Sequence, residues 1–223
     1  MTGHPWPLFD LRLRTPHLEL RLPTDEDLLE LVRVARGGIM EEGRVFFAAP
    51  WHELPSPAFE RQFLQHWWRS RGSWSPTSWS LGLAVVAEGR PIGIQDVMAE
   101  QFAVRKTVAT ASWLGAANHG RGYGTEMRAA VLALAFEGLG AERAESGYFT
   151  GNAASARVSE KLGYVPNGEE VYAVAGIRVV ESRVRVTPDA WRRDLVPVTM
   201  EGLEPCLPLF GVGDLAPHEW ARL

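Results

Sequence analysis

The stretch Asn118-His119-Gly120-Arg121-Gly122-Tyr123-Gly124-Thr125-Glu126 limits what this chain can fold into more than any other. Three glycines alternate with larger residues. Before them, residues 107–115 (TVATASWLG) read as a strand; after them EMRAAVLALAF reads as a helix over about 124–137. A strand end, a glycine loop and a helix start together make an anion site. The first N–H groups of a helix have no partner within it, and the helix dipole adds partial positive charge at that end. Glycine permits positive φ and removes the Cβ that would hold a ligand off. Successive N–H groups then converge on phosphate oxygens.

Three readings compete for this stretch, two phosphate loops and a bare turn. The nucleotide-triphosphatase loop needs Gly-Lys-Ser/Thr at the helix start, and here Gly124-Thr125-Glu126 lacks the lysine. The dinucleotide loop wants Gly-x-Gly-x-x-Gly; the spacing here is Gly120-x-Gly122-x-Gly124, although Glu142 or Glu145 could serve as the downstream carboxylate. A glycine-rich turn with no ligand is the third reading.

The helix after the loop is apolar almost all round, which predicts burial against a sheet. Upstream, 18–22 (LELRL) alternates like an edge strand. Thr24 caps a helix from Asp25 to Arg36 that Gly37-Gly38 stops, and Ser56-Pro57 opens a second, with Phe59, Phe63 and Trp67 on one face. Residues 79–98 read as a hairpin turning at Glu88-Gly89-Arg90. Downstream come a strand at 142–149, a helix from Asn152 to Leu162 ended by Gly163, strands near 169–174 and 177–186, a short helix from Thr187-Pro188 to Arg193, and an irregular tail. Strands followed by strand–loop–helix–strand–helix–strand predict a mixed α/β sheet.

The 223 residues carry a net charge of −4, which argues against a broad nucleic-acid-binding surface. The lone Cys206 allows no internal disulfide, and the six histidines lack metal-ligand spacing, so no metal is expected. No apolar run is long enough to span a membrane, and the opening MTGHPWPLFDLRLRT has prolines and charges where a signal peptide needs an apolar core. A soluble cytoplasmic protein is expected, with no nucleic-acid or membrane partner. Self-association into a homo-oligomer is also expected.

With the next sixty residues the pattern becomes more specific. WLGAANHGRGYGTE (113–126) followed by NAASARVSEKLGY (152–164) resembles the GCN5-related N-acetyltransferase (GNAT) superfamily, in particular the branch with ribosomal-protein N-terminal acetyltransferases. The opening TPHLELRLPTDED is similar to the start of that branch, and the likeness covers about 10–193, leaving 194–223 as a tail. The family's acyl-CoA loop reads Arg/Gln-x-x-Gly-x-Gly/Ala; His119, Gly122 and Gly124 stand there, with histidine a departure.

The resemblance implies an α/β fold with a mixed sheet of six or seven strands and about four helices. Strands 107–115 and 142–149 would splay to admit the pantetheine arm. It implies main-chain contacts to pantetheine from Trp113, Leu114 and Gly115. The diphosphate would sit on the N–H groups of Gly120, Arg121, Gly122, Tyr123, Gly124 and Thr125, with His119 beside it and Asn152 facing the cofactor. The implied reaction passes an acyl group from acetyl-CoA, or from succinyl-CoA or another short acyl-CoA, to a primary amine. The amine could belong to a small molecule, a protein N-terminus or a lysine.

The tyrosine acid of many relatives falls at Ser159. Ser155 matches a serine this branch can use at the departing sulfur, or it satisfies the first helical turn. Asp96 and Glu100 are candidate bases or ordinary surface carboxylates. Glu126 reads as a first-turn carboxylate, and Cys206 as a remote candidate nucleophile. Trp51, Trp67, Trp68, Trp74 and Trp79 read as core, subunit contact or pocket wall, and Arg69 and Arg71 as surface charge or acid-binding groups. A non-catalytic CoA-binding module, for sensing or assembly, is the alternative function.

Overall fold

The structure, a computed structural model, describes residues 3–39, 51–174 and 176–213. Strands β1 (Arg12–Arg14) and β2 (Glu19–Arg21) lead to helix α1 (Asp25–Arg36). Helix α2 (Ala58–Gly72) precedes the hairpin β3 (Ser78–Ala87) and β4 (Arg90–Glu100). A single turn, α3 (Phe102–Arg105), then opens into β5 (Thr107–Leu114), α4 (Tyr123–Ala133), β6 (Arg143–Phe149) and α5 (Ala153–Lys161). The hairpin β7 (Val165–Val174) and β8 (Ile177–Val186) follows, with β9 (Thr199–Glu201) last.

The strands form one sheet in the order β7-β8-β6-β5-β4-β3-β2-β1-β9, so the described residues hold nine strands where six or seven were expected. The segment 18–22 is not an edge: β2 lies between β3 and β1. Among the described residues only β5 and β6 pair in parallel.

Local chemistry explains the helices. Thr24 accepts from the Asp27 N–H while Asp27 accepts from the Thr24 N–H, a reciprocal cap strengthened by the Arg21–Asp27 ion pair. The second helix starts one residue later than expected, with Pro57 in the cap position rather than inside. Its Phe59, Phe63 and Trp67 are buried, and with Leu28, Leu31, Ile94 and Trp113 they form a core on one face of the sheet. On the other face α4 is buried along nearly its whole length, ending in a wider turn over Leu134–Gly138.

The region after residue 187 corrects two expectations. No helix forms over 187–193; the chain makes a turn and then a short 3-10 turn at Arg193–Leu195. Nor is the stretch 199–210 irregular, and the last part of the expected tail, 214–223, lies outside the described residues. β9 pairs with β1, placing Met200 opposite Leu13. A 3-10 segment, Glu204–Phe210, then drives Phe210 into the core, with ring centroids 4.9 Å from Trp79 and 5.5 Å from Trp74. The Trp74 indole donates to the Leu209 carbonyl at 2.9 Å. Trp74 and Trp79 are therefore core residues.

Candidate active site

The parallel ladder between β5 and β6 covers only Thr107–Ala109 against Arg143–Glu145. Beyond it the two strands part. At the point of separation side chains replace the ladder: Thr110 Oγ1 donates to the Glu145 carbonyl at 3.3 Å, and Ser146 Oγ donates to the Thr110 carbonyl at 3.2 Å. This is the expected splay.

On its other side β5 pairs with β4, and the Gly115 N–H donates to the Ile92 carbonyl at 2.9 Å. Antiparallel ladders alternate, so Trp113 also turns its main-chain groups to β4, while Ser112 and Leu114 turn theirs into the gap. Of Trp113, Leu114 and Gly115, only Leu114 offers its main chain to a ligand in the wedge, and Ser112 joins it. Part of that edge is taken, because His119 Nε2–H donates to the Leu114 carbonyl at 3.0 Å. The histidine at the family's Arg/Gln position thus braces the loop against the strand end instead of reaching outward.

The glycine loop has the predicted form. Gly120 and Gly122 sit at φ 76° and 86°, and a Cβ on either would meet nothing within 4 Å. The main-chain N–H groups of Gly120, Arg121, Gly122, Tyr123 and Gly124 have no acceptor among the described residues. The row stops there: the Thr125 N–H donates to the Gly122 carbonyl at 2.9 Å, so Thr125 leaves the expected set. Five consecutive free donors at the mouth of a buried helix fit a diphosphate. Glu126 points away and accepts from Thr15 Oγ1 at 2.6 Å and His17 Nδ1–H at 2.7 Å, tying the N-terminal turn to α4.

The apex of the wedge holds a group that sequence reading missed. Arg128, on α4, is only 4% exposed. Its guanidinium donates to Ser146 Oγ at 2.8 Å and Ser112 Oγ at 3.3 Å, and its Nε–H has no partner among the described residues. No carboxylate pairs with it among the described residues. A buried cation held only by two neutral hydroxyls is unusual, because burial of charge is ordinarily offset by a counter-charge. The signal in the sequence was a single arginine on a helix with no polar face to carry it.

A cavity of about 560 Å³ runs through the wedge. Asn152 and Ser155 line it from α5, Asp96 and Trp113 from the central strands, and Trp51, Phe63 and Trp67 from the helical face. Asn152 Oδ1 caps α5 by accepting the Ser155 N–H at 3.1 Å, which leaves the Ser155 hydroxyl without a partner among the described residues. Ser159, in the family's tyrosine position, is buried. Asp96 Oδ1 is sealed from solvent and accepts no hydrogen bond among the described residues. Burial pushes its carboxyl up to about 7, so it exchanges a proton near neutrality.

Glu100 lies outside this cavity, exposed and accepting from Ser78 Oγ at 2.7 Å. Tyr172, Glu181 and Arg183 enter it from the β7–β8 hairpin: the Tyr172 hydroxyl donates to Glu181 at 3.3 Å and Arg183 pairs with Glu181 at 3.0 Å. Nothing in the sequence pattern places that trio beside the wedge. Arg71 is held by the Pro23 carbonyl and lies outside the cavity, whereas Arg69 lines it. Cys206 is fully buried, donates to the Gly202 carbonyl at 3.2 Å, and has its thiol pushed up to about 12 by burial, which rules out a thiolate nucleophile.

The sequence model of the acetyltransferase (GNAT) domain matches residues 17–165. Solved structures share the fold at low identity. A GCN5-related N-acetyltransferase from Brucella melitensis superposes with TM-score 0.64 at 19% identity, over 86% of this chain and 84% of that one. A GNAT-family acetyltransferase from Bacillus anthracis gives 0.64 at 15%, over 80% and 99%. Mycobacterium smegmatis RimJ in complex with CoA-disulfide gives 0.62 at 16%, over 82% and 90%. With two-thirds of its length matched by the domain model and the splayed sheet and free N–H row in place, the chain belongs to the GNAT acetyltransferase family.

Proposed function

We propose that this protein transfers a short acyl group, acetyl first, from an acyl-CoA to a primary amine by direct attack in a ternary complex. The observation that carries the reading is the row of free N–H groups from Gly120 to Gly124 at the end of a splayed strand pair, together with a cavity in the splay that Asp96 lines. In this reading the loop holds the diphosphate, the Ser112 and Leu114 edge holds the pantetheine amides, and Asn152 and Ser155 flank the arm. The bound co-substrate supplies an activated thioester. Holding the amine beside it supplies much of the rate gain. Asp96 accepts the proton that the attacking ammonium must lose; the new N–C bond forms as the C–S bond breaks, and the Ser155 hydroxyl donates to the departing sulfur. The Leu114 N–H is the main-chain donor available to the oxygen that gains charge.

The test is release of free CoA thiol from acetyl-CoA over a panel of primary amines, beside calorimetric binding of CoA. Binding with no release on any amine would favour the non-catalytic module. A second reading concerns the donor. Arg128, buried at the wedge without a counter-ion, favours an acyl group ending in a carboxylate, such as succinyl. Arg128→Met should then lower kcat/KM for succinyl-CoA at least tenfold more than for acetyl-CoA, and equal losses would remove that reading.

A further inference from the structure

The cavity also carries information about the amine. On the helical face Trp51, Phe63, Trp67 and Trp113 form a continuous aromatic wall, with neighbouring ring centroids 5.8–6.2 Å apart. The wall meets a carboxyl group at one place. A Cβ built on Gly82 would lie 2.0 Å from Trp67 Cζ3 and 2.8 Å from Asp96 Oδ1, so ring and carboxyl share the space above that residue. Asp96 Oδ1 is closed off in that contact, so the carboxyl can offer only its other oxygen to the cavity that both groups line, and there a carboxylate beside an indole makes a site for one ammonium group.

The remaining charges in the cavity limit the number of ammonium groups. Glu181 is already paired with Arg183, leaving Asp96 as the lining carboxylate without a cationic partner among the described residues. Two guanidinium groups with no carboxylate partner among the described residues, Arg69 and Arg128, line the same space, while Arg183 is neutralised by Glu181. A second ammonium on the acceptor would meet those cations.

We propose that the acceptor is a monoamine with a flat apolar body, of the arylalkylamine class, its ammonium beside Asp96 and its ring against the Trp51–Phe63–Trp113 wall. This rests on the acyl-transfer reading for its chemistry, but binding can be tested separately. The full chain is titrated with 2-phenylethylamine, spermidine and a short lysine peptide, and followed by calorimetry and by intrinsic tryptophan fluorescence. The expected result is saturable binding of phenylethylamine at least tenfold tighter than of the other two. It should weaken at least fivefold in Trp51→Ala and in Asp96→Asn, while CoA affinity holds in Trp51→Ala. Thermal unfolding of each variant identifies any loss due to misfolding. Tighter binding of spermidine or the peptide, or unchanged phenylethylamine affinity in both folded variants, overturns the inference. Phenylethylamine binding without CoA release sinks acyl transfer and keeps the binding site; CoA release with spermidine alone does the reverse.

Discussion

Asp96→Asn separates a functional carboxylate from a merely buried one, because it should move stability and turnover in opposite directions. The carboxyl is shifted from its usual 3.8 to about 7 by desolvation, and Oδ1 accepts no hydrogen bond to offset that cost. The native state therefore keeps the proton where the unfolded chain has released it. The stability this contributes is complete below pH 3.8 and is lost as pH rises to about 7. The full shift corresponds to about 4 kcal/mol, which relaxation of the surroundings around the ionised carboxylate reduces to about 1–3 kcal/mol. Asparagine is never charged, so at pH 8 the variant should be more stable than the parent by that amount, and close to it at pH 4. At roughly 2–4 °C per kcal/mol, Tm at pH 8 should rise by about 2–12 °C. Turnover should fall by about 10²–10⁴, the usual contribution of a positioned base. In the parent, kcat under saturating substrates should climb through pH 7 and then level off, and the variant should lose that step. Thermal scans at both pH values and thiol-release kinetics from pH 5.5 to 9 read both effects. An unchanged kcat, or a variant less stable at pH 8, would refute the assignment.

Gly122→Glu should lower CoA affinity by at least a hundredfold in calorimetry. The new carboxylate would stand among the free N–H groups, while the left-handed backbone costs only about 1–2 kcal/mol of stability. Ser155→Ala should reduce kcat with KM for acyl-CoA nearly unchanged, as measured by steady-state kinetics, if its hydroxyl serves the departing sulfur. Phe210→Ala should cost about 3–5 kcal/mol, seen in denaturant titration, with CoA affinity of the folded fraction intact, since the ring fills the core between Trp74 and Trp79 far from the loop.

The central block was legible because each piece carries a local signal. Thr24 and Asn152 mark helix starts through their own capping oxygens, Gly163 marks an end at φ 92°, and the alternation in β5 runs straight into the glycines. What escaped depends on distant partners. β9 is three residues long and mostly exposed, so it has no periodicity of its own and exists because β1 offers an edge. Phe210 is fixed by two indoles more than a hundred residues earlier. In the site, the glycine donors were readable, but which β5 residues face the gap depended on the ladder phase set by Gly115 and Ile92. The roles of His119 and Arg128 turned on which groups lay across from them, a carbonyl for one and two hydroxyls for the other, and no spacing encodes that.

The pairing of β9 with β1 has a consequence for how the molecule is made. Arg14 and Glu201, in ion contact at 2.8 Å, stand 187 positions apart in the chain. Synthesis is vectorial and proceeds at about 5–20 residues per second, so β1 leaves the ribosome many seconds before its partner exists. During that interval one rim of the nascent sheet and the indole seat for Phe210 stay open to any passing strand or apolar segment. Folding of this protein should therefore depend on chaperone capacity more than its native compactness suggests, and removing the stretch from residue 199 onward should send it to inclusion bodies even with every catalytic group present.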